Sequence, residues 1–269
     1  MAKILSVLLK TCFLFFLVSC ATVPVTGRQQ LNLVPAQQLM SMSFQNYDDF
    51  LKKNKLSADA EKSLLVRRTG KAVQQAVENY MRMIGRTTEL DGYQWEFNLA
   101  EDEAVNAWCM PGGKVVIYTG ILPITKDETG LAVVMGHEIA HAIANHGGER
   151  LSHGLMVEMG GVALSEALST KNPQTKQLFL SLYGAGSQVG YVLPYSRLQE
   201  SEADRMGLIF MAIAGYDPGQ AVPFWQRMAN QKDGKNTPLE FLSTHPSDET
   251  RIKEIRSMLP EAMQHYKKN

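Results

Sequence analysis

Cysteine is scarce in this chain. Only three of its 269 residues are cysteines, and just one of them, Cys109, lies beyond the first twenty. No disulfide can therefore close within the folded part. The fold must rest on a hydrophobic core, for which this length is ample. Charge imbalance is missing too. Lys+Arg and Asp+Glu are both 27, and no basic stripe calls for nucleic acid as a partner. Long apolar runs are absent past residue 20. Gly154–Leu164 and Leu178–Gly186 are rich in small residues, but His153, Glu158 and Glu166 break up the first. Neither reaches the roughly 20 apolar residues of a spanning helix. They read as close-packed helices, with a mobile cover over a cleft as the second reading.

The first nineteen residues are read as an export signal. Lys3 and Lys10 give it positive charge, and Phe13–Val18 completes an apolar run too short for a permanent span. It ends Leu17-Val18-Ser19-Cys20, which resembles a bacterial lipobox. On that reading Cys20 is the lipidated first residue of the mature chain, and a multiply acylated cysteine holds a membrane stably. Residues 20–34, punctuated by prolines, read as a lipidated tether that then lies against the domain. Residues 35–269 read as one domain.

Helical patterning covers about 35–54 and 57–84, with Ser57 as the expected N-cap of the second helix. Tyr93–Leu99 alternates like a half-buried strand. Asn106–Met110 and Lys114–Thr119 follow as two more strands around Pro111-Gly112-Gly113. Thr125-Lys-Asp-Glu128 resembles a capping box opening the next helix. Helices are expected again at 196–214, at 218–231 with Asp217 capping, and from about Ser247 to Met258. The fold class is mainly α with a small β-sheet.

Residues 131–147 read as one buried helix ended or kinked by Gly147-Gly148, and they carry His137-Glu138-x-x-His141. Histidines four apart share a helix face and can grip one Zn²⁺. Glu138 sits one step round, where a carboxylate can take a proton from water activated by the metal. A buried helix with two histidines and a glutamate is costly unless something pairs them, and a metal does so. His146, nine residues after His137, is expected to point away from the metal as a surface or helix-end residue. A catalytic zinc needs a third protein ligand. Glu200 and Asp204 share a face at the i, i+4 spacing; one can bind zinc while the other orients a ligand histidine. Glu202, on another face, reads as a solvated acid. Cys109 reads as a packed bystander.

Taken together, His137-Glu-x-x-His141, Ser196-Arg-Leu-Gln-Glu200-Ser-Glu-Ala-Asp204, Asn106-Ala107 and Pro111-Gly-Gly113 resemble the gluzincin zinc metallopeptidase family of HtpX and the CAAX prenyl proteases. The lipobox and Pro24-Val-Thr-Gly-Arg28 are similar to its soluble bacterial envelope lipoprotein branch, BepA- and LoiP-like. The resemblance implies a zincin-like domain with the active-site helix packed on a three-stranded or similar sheet. It implies one Zn²⁺ per chain on His137, His141 and Glu200, with catalytic Glu138 and with Asp204 behind the ligands. It places Asn106-Ala107 on an edge strand that pairs with substrate backbone. It matches Thr244-His245-Pro246 to a histidine-proline motif, with Arg251 following. His245 then either donates to the oxyanion or fills the open position of the metal.

The implied activity is zinc metalloendopeptidase cleavage of extended, unfolded or misfolded envelope polypeptides, as protein quality control. The implied location is the bacterial envelope, at the outer membrane facing the periplasm, through lipidated Cys20. The integral-membrane relatives carry spanning helices where this chain has 151–194, which argues against prenylated-peptide cleavage. The competing expectation is an envelope assembly factor or chaperone-like lipoprotein, working with envelope assembly machinery, whose peptidase site is latent.

Overall fold

A three-stranded sheet, buried on both faces, sits at the centre of the computed structural model, which describes residues 20–158, 175, 196–231, 240–245 and 249–267. Residues 1–19, read above as an export signal, nearly all of segment 151–194 beyond residue 158, and the loop at 233–238 lie outside the described residues, as does Pro246.

The chain enters as a hairpin, β1 (Cys20–Thr22) against β2 (Gln29–Leu31). Two amphipathic helices follow, α1 (Ala36–Lys53) and α2 (Ala60–Met83). Asp59, not Ser57, caps α2: its carboxylate accepts from the Lys62 amide, and Ser57 Oγ accepts from Asp59 N. A carboxylate is the stronger acceptor at a helix N-terminus, and it displaces the start by two residues. The sheet has the order β3 (Glu96–Ala100), β5 (Lys114–Tyr118), β4 (Ala107–Met110), with β3 parallel and β4 antiparallel to β5. The first strand starts later than the alternation from Tyr93 predicts.

Strand alternation sorts the core into two layers. Phe97, Leu99, Cys109, Val115 and Ile117 face the main core with α2. Trp108, Met110, Val116 and Tyr118 face the other way, onto Leu39, Tyr47 and Phe50 of α1. Covered on both sides, β5 is apolar almost throughout.

A helical turn, Leu122–Thr125, precedes α3 (Glu128–Ile143). The expected capping box does not form. Thr125 closes the short turn, its Oγ1 donating to Leu122 O, and Asp127 caps α3 by accepting from Gly130 N. Every residue of α3 from Gly130 to Ile143 is buried, as a helix apolar on most sides requires.

The helix ends earlier than the glycine pair suggests. Asn145 takes a left-handed φ of 53° and terminates it, and a new helix, α4 (His146–Glu158), starts with both glycines inside its first turn. Asparagine tolerates that backbone and is a known helix terminator.

Beyond come α5 (Arg197–Ile213), opened by a Ser196–Gln199 capping box, then α6 (Ala221–Asn230), α7 (Glu240–Thr244) and α8 (Glu249–Met263). Pro218 opens a tight turn before α6, with Asp217 capping as expected. The last helix runs beyond Met258 and through Pro260.

Helices α3 and α5 pack backbone against backbone through Gly136 and Gly207. A Cβ added to Gly207 would lie 2.9 Å from Gly136 C and from His137 N. The backbones touch there, and that proximity brings His137 and the acidic turn of α5 together. No helix among the described residues is long and apolar enough to cross a membrane.

Candidate metal centre

Four ligand atoms from His137, His141, Glu200 and His245, all buried, lie within 4.8 Å of one another. His137 Nε2 is 3.0 Å from His141 Nε2 and 3.5 Å from Glu200 Oε2, and His141 Nε2 is 3.3 Å from Glu200 Oε1. His245 Nδ1 lies 3.1 Å from His137 Nε2 and 2.9 Å from Glu200 Oε1. Ligands about 2.0–2.1 Å from a tetrahedral zinc sit about 3.3–3.4 Å from each other, so these separations suit one such ion.

Proton accounting gives the same answer. His137 Nδ1 is 2.9 Å from Asp204 Oδ1. An ionised carboxylate only accepts, so Nδ1 carries the hydrogen and Nε2 a lone pair. His141 Nδ1 is 2.9 Å from His146 Nδ1, and His146 Nε2 is 3.2 Å from Glu202 Oε2. Glu202 therefore receives the His146 proton, His146 Nδ1 receives that of His141, and His141 Nε2 is left bare. Burial lowers the pKa of His137, His141 and His146, which keeps all three rings neutral. Two lone pairs then face each other across 3.0 Å. A shared cation relieves that repulsion, and the donor set of two imidazoles and a carboxylate fits zinc.

Charges around the cluster keep the acids ionised. Burial alone would raise the Asp204 pKa, but the Arg251 charge holds it low. For Glu200, burial is likewise outweighed, by His245 and Arg251, and its pKa falls well below the usual range. Arg251 makes this possible. It donates to both Asp204 oxygens at 2.8 Å, reaches Glu200 Oε2 at 2.7 Å, and stacks 3.5 Å from the Trp225 ring centre. Glu138 differs. Its Oε1 is buried with no hydrogen-bond partner among the described residues, and burial raises its pKa to about 7. A carboxylate so placed is suited both to taking and to returning a proton near neutral pH. His245 Nε2 lies 3.5 Å from that oxygen. The His245 ring stacks on Phe241, and although burial opposes it, the charges of Glu200 and Glu138 raise its pKa.

The structure thus brings together His137, Glu138, His141, Glu200, Asp204 and His245. Asn106 immediately precedes β4 and Ala107 opens it, and among the described residues this strand pairs with β5 alone. Asn106 is buried, and its Oδ1 accepts from Ala107 N at 2.8 Å. Cys109 is buried, and burial pushes its thiol well up. Two expectations are corrected. His146 does not point away, because the break at Asn145 turns it back onto His141. Glu202 is not a solvated acid but the buried partner of His146. The asparagine before His146 was the one signal in the sequence that could have revealed this.

Residues 67–259 match the model of peptidase family M48. The chain is 37% identical over 186 residues to the mitochondrial metalloendopeptidase OMA1 of Schizosaccharomyces pombe, covering 69% of this chain and 53% of that protein. It is 30% identical over 255 residues to the mitochondrial metalloendopeptidase OMA1 of Danio rerio, covering 93% of this chain and 52% of that one. It is 33% identical over 167 residues to the beta-barrel assembly-enhancing protease of Yersinia pestis, covering 61% of this chain and 34% of that one. The chain spans about half the length, or less, of these curated relatives.

Proposed function

This chain belongs to peptidase family M48, and from that premise we propose that it is a zinc-dependent metalloendopeptidase held at the bacterial envelope by lipidated Cys20. The observation that carries the reading is Glu138, a buried carboxylate with an unpartnered oxygen beside a ligand cluster of zinc dimensions. His137, His141 and Glu200 hold the metal, and Asp204 fixes the tautomer of His137. Zinc, when bound, polarises the scissile carbonyl and lowers the pKa of water to about 7. Glu138 takes the proton of the attacking water and returns it to the leaving amine. The substrate backbone pairs with β4 from Asn106 and Ala107, which selects extended, unfolded or misfolded envelope chains. His245 Nε2 lies 3.5 Å from Glu138 Oε1 and is placed to steady the developing oxyanion.

The lipobox-like Leu17–Cys20 and the likeness to a beta-barrel assembly-enhancing protease support the outer membrane, facing the periplasm, over a mitochondrial setting. Quality control of envelope proteins follows from that location and from an extended-strand substrate. One observation favours a second reading. His245 stands within the ligand set itself, where it can fill the open metal position and leave an assembly factor with a latent peptidase.

The test is Glu138→Ala. The variant retains zinc and loses casein cleavage, by a factor of about 10²–10⁴. Unchanged cleavage by the purified variant would defeat the assignment. If the variant still rescues envelope defects in cells, the assembly-factor reading takes precedence.

A further inference from the structure

We propose that Arg28, acting through Glu202 and His146, is a positioning residue for the metal ligand His141, so that the strap joining β1 to β2 is a working part of the metal site. The inference rests on the zinc reading above and goes past it, because Arg28 lies outside the residues 67–259 that match the family.

The strap is built to hold its place. Val23 is fully buried, its amide donates to Arg28 O at 2.8 Å, and Gly27 N returns a bond to Val23 O at 2.9 Å. Gly27 takes a φ of +70°, which closes the turn and which a side chain would strain. From this turn two side chains reach the same carboxylate. Thr26 Oγ1 donates to Glu202 Oε1 at 2.5 Å, and Arg28 Nε donates to Glu202 Oε2 at 2.7 Å. The other guanidinium nitrogens of Arg28 grip both oxygens of Glu149, at 2.7 and 2.8 Å. Glu149 also accepts from Gln199 Nε2 at 2.7 Å.

Arg28 therefore clamps α4 to α5. Those helices carry the two groups behind His141: His146 and Glu149 are on α4, Glu202 is on α5. Remove the guanidinium and two buried carboxylates are left between the helices without their cation. Glu202 then has only Thr26 and His146 itself to hold it 3.2 Å from His146, and a looser His146 dictates less firmly which nitrogen of His141 faces the metal. Outer partners of ligand histidines are worth about 10–100-fold in metal affinity. A lysine cannot replace Arg28, since a point charge does not span two carboxylates as a planar fork does.

The test measures zinc affinity of the purified full chain by competition with a fluorescent chelator, alongside thermal unfolding of the metal-free protein. It is completed by ¹⁵N NMR of the histidine rings. Arg28→Gln weakens zinc binding about tenfold, Arg28→Lys nearly as much, and His146→Leu by up to about 100-fold. His146→Gln retains most of the affinity, because its carboxamide accepts from His141 Nδ1–H while donating to Glu202. The NMR shows His141 protonated at Nδ1 in the parent and at both sites in exchange in His146→Leu. If Arg28→Gln does not fold, Thr26→Val removes one bond to Glu202 and leaves the guanidinium in place, and a fall of about threefold is expected. The proposal is overturned if Arg28→Gln or Thr26→Val and His146→Leu all bind zinc within about twofold of the parent, or if His146→Gln is as weak as His146→Leu, which would make His146 a packing residue only. A parent chain that binds no zinc overturns the metal reading itself.

Discussion

The two histidines of the candidate metal site lie four residues apart on one helix, yet they are backed in opposite ways. Behind His137 stands a single carboxylate, Asp204, and behind that the buried Arg251 on α8. Behind His141 stands a second histidine, then Glu202, then Arg28 on the entering strap. Each arm ends in an arginine. Arg251 is 5% exposed and sits under Trp225; the Arg28 side chain is 20% exposed and sits where the chain begins its fold. One arm is part of the interior, and the other runs from the metal to the surface. The difference teaches that equal chemistry at the ligands need not mean equal coupling to the outside.

The comparison breaks most severely at Arg251. Arg251→Met leaves Glu200 and Asp204 buried without their cation, which costs about 3–5 kcal/mol; urea unfolding measures it, and zinc retention falls with it. Gly207→Ala strikes the junction both arms share. A methyl group there meets backbone at 2.9 Å, so overpacking costs about 1–3 kcal/mol and thermal unfolding shifts down; an unshifted midpoint would mean the helices part freely. Asp204→Asn keeps shape and an acceptor but loses the charge facing Arg251. Zinc affinity falls about tenfold with cleavage reduced in step, and a variant that cleaves normally would make Asp204 dispensable. Smallest is the response to salt. Raising ionic strength from about 0.1 M to 1 M shortens the screening length to roughly 3 Å and weakens partly exposed pairs first. The parent loses zinc affinity modestly, and Arg28→Gln loses none further; equal salt slopes would make the two arms alike.

Much of this was legible in the sequence, for reasons that can be named. Residues 131–143 are apolar on most sides, so a buried helix with two histidines four apart was forced. Glu200 and Asp204 were readable as a pair because i, i+4 spacing fixes a shared face whatever surrounds it. The alternation in 96–118 gave the strands, though not the order β3-β5-β4, which depends on a crossover that local pattern does not encode. His146 was illegible while one continuous helix was assumed, since 3.6 residues per turn carries position 146 to the far side. A single left-handed residue, Asn145, reverses that conclusion. Glu202 failed for the same reason, as its partners come from 56 and more residues away. Arg28 had only the Thr-Gly-Arg likeness to recommend it, and nothing local marks an arginine as one end of a clamp.

The spread of the site along the chain has a consequence for synthesis. Its contributors run from Arg28 to Arg251, and translation makes them in that order. A chain still emerging from the ribosome holds His137, Glu138 and His141 long before it holds Arg251. Until then Glu200 and Asp204 lack the charge that keeps them ionised in the interior. The cluster is therefore timed as well as placed: its acids gain their cation only when Arg251 has been delivered, so a chain cut short of that residue carries the His137–His141 motif without the charge that holds Glu200 and Asp204 in the interior.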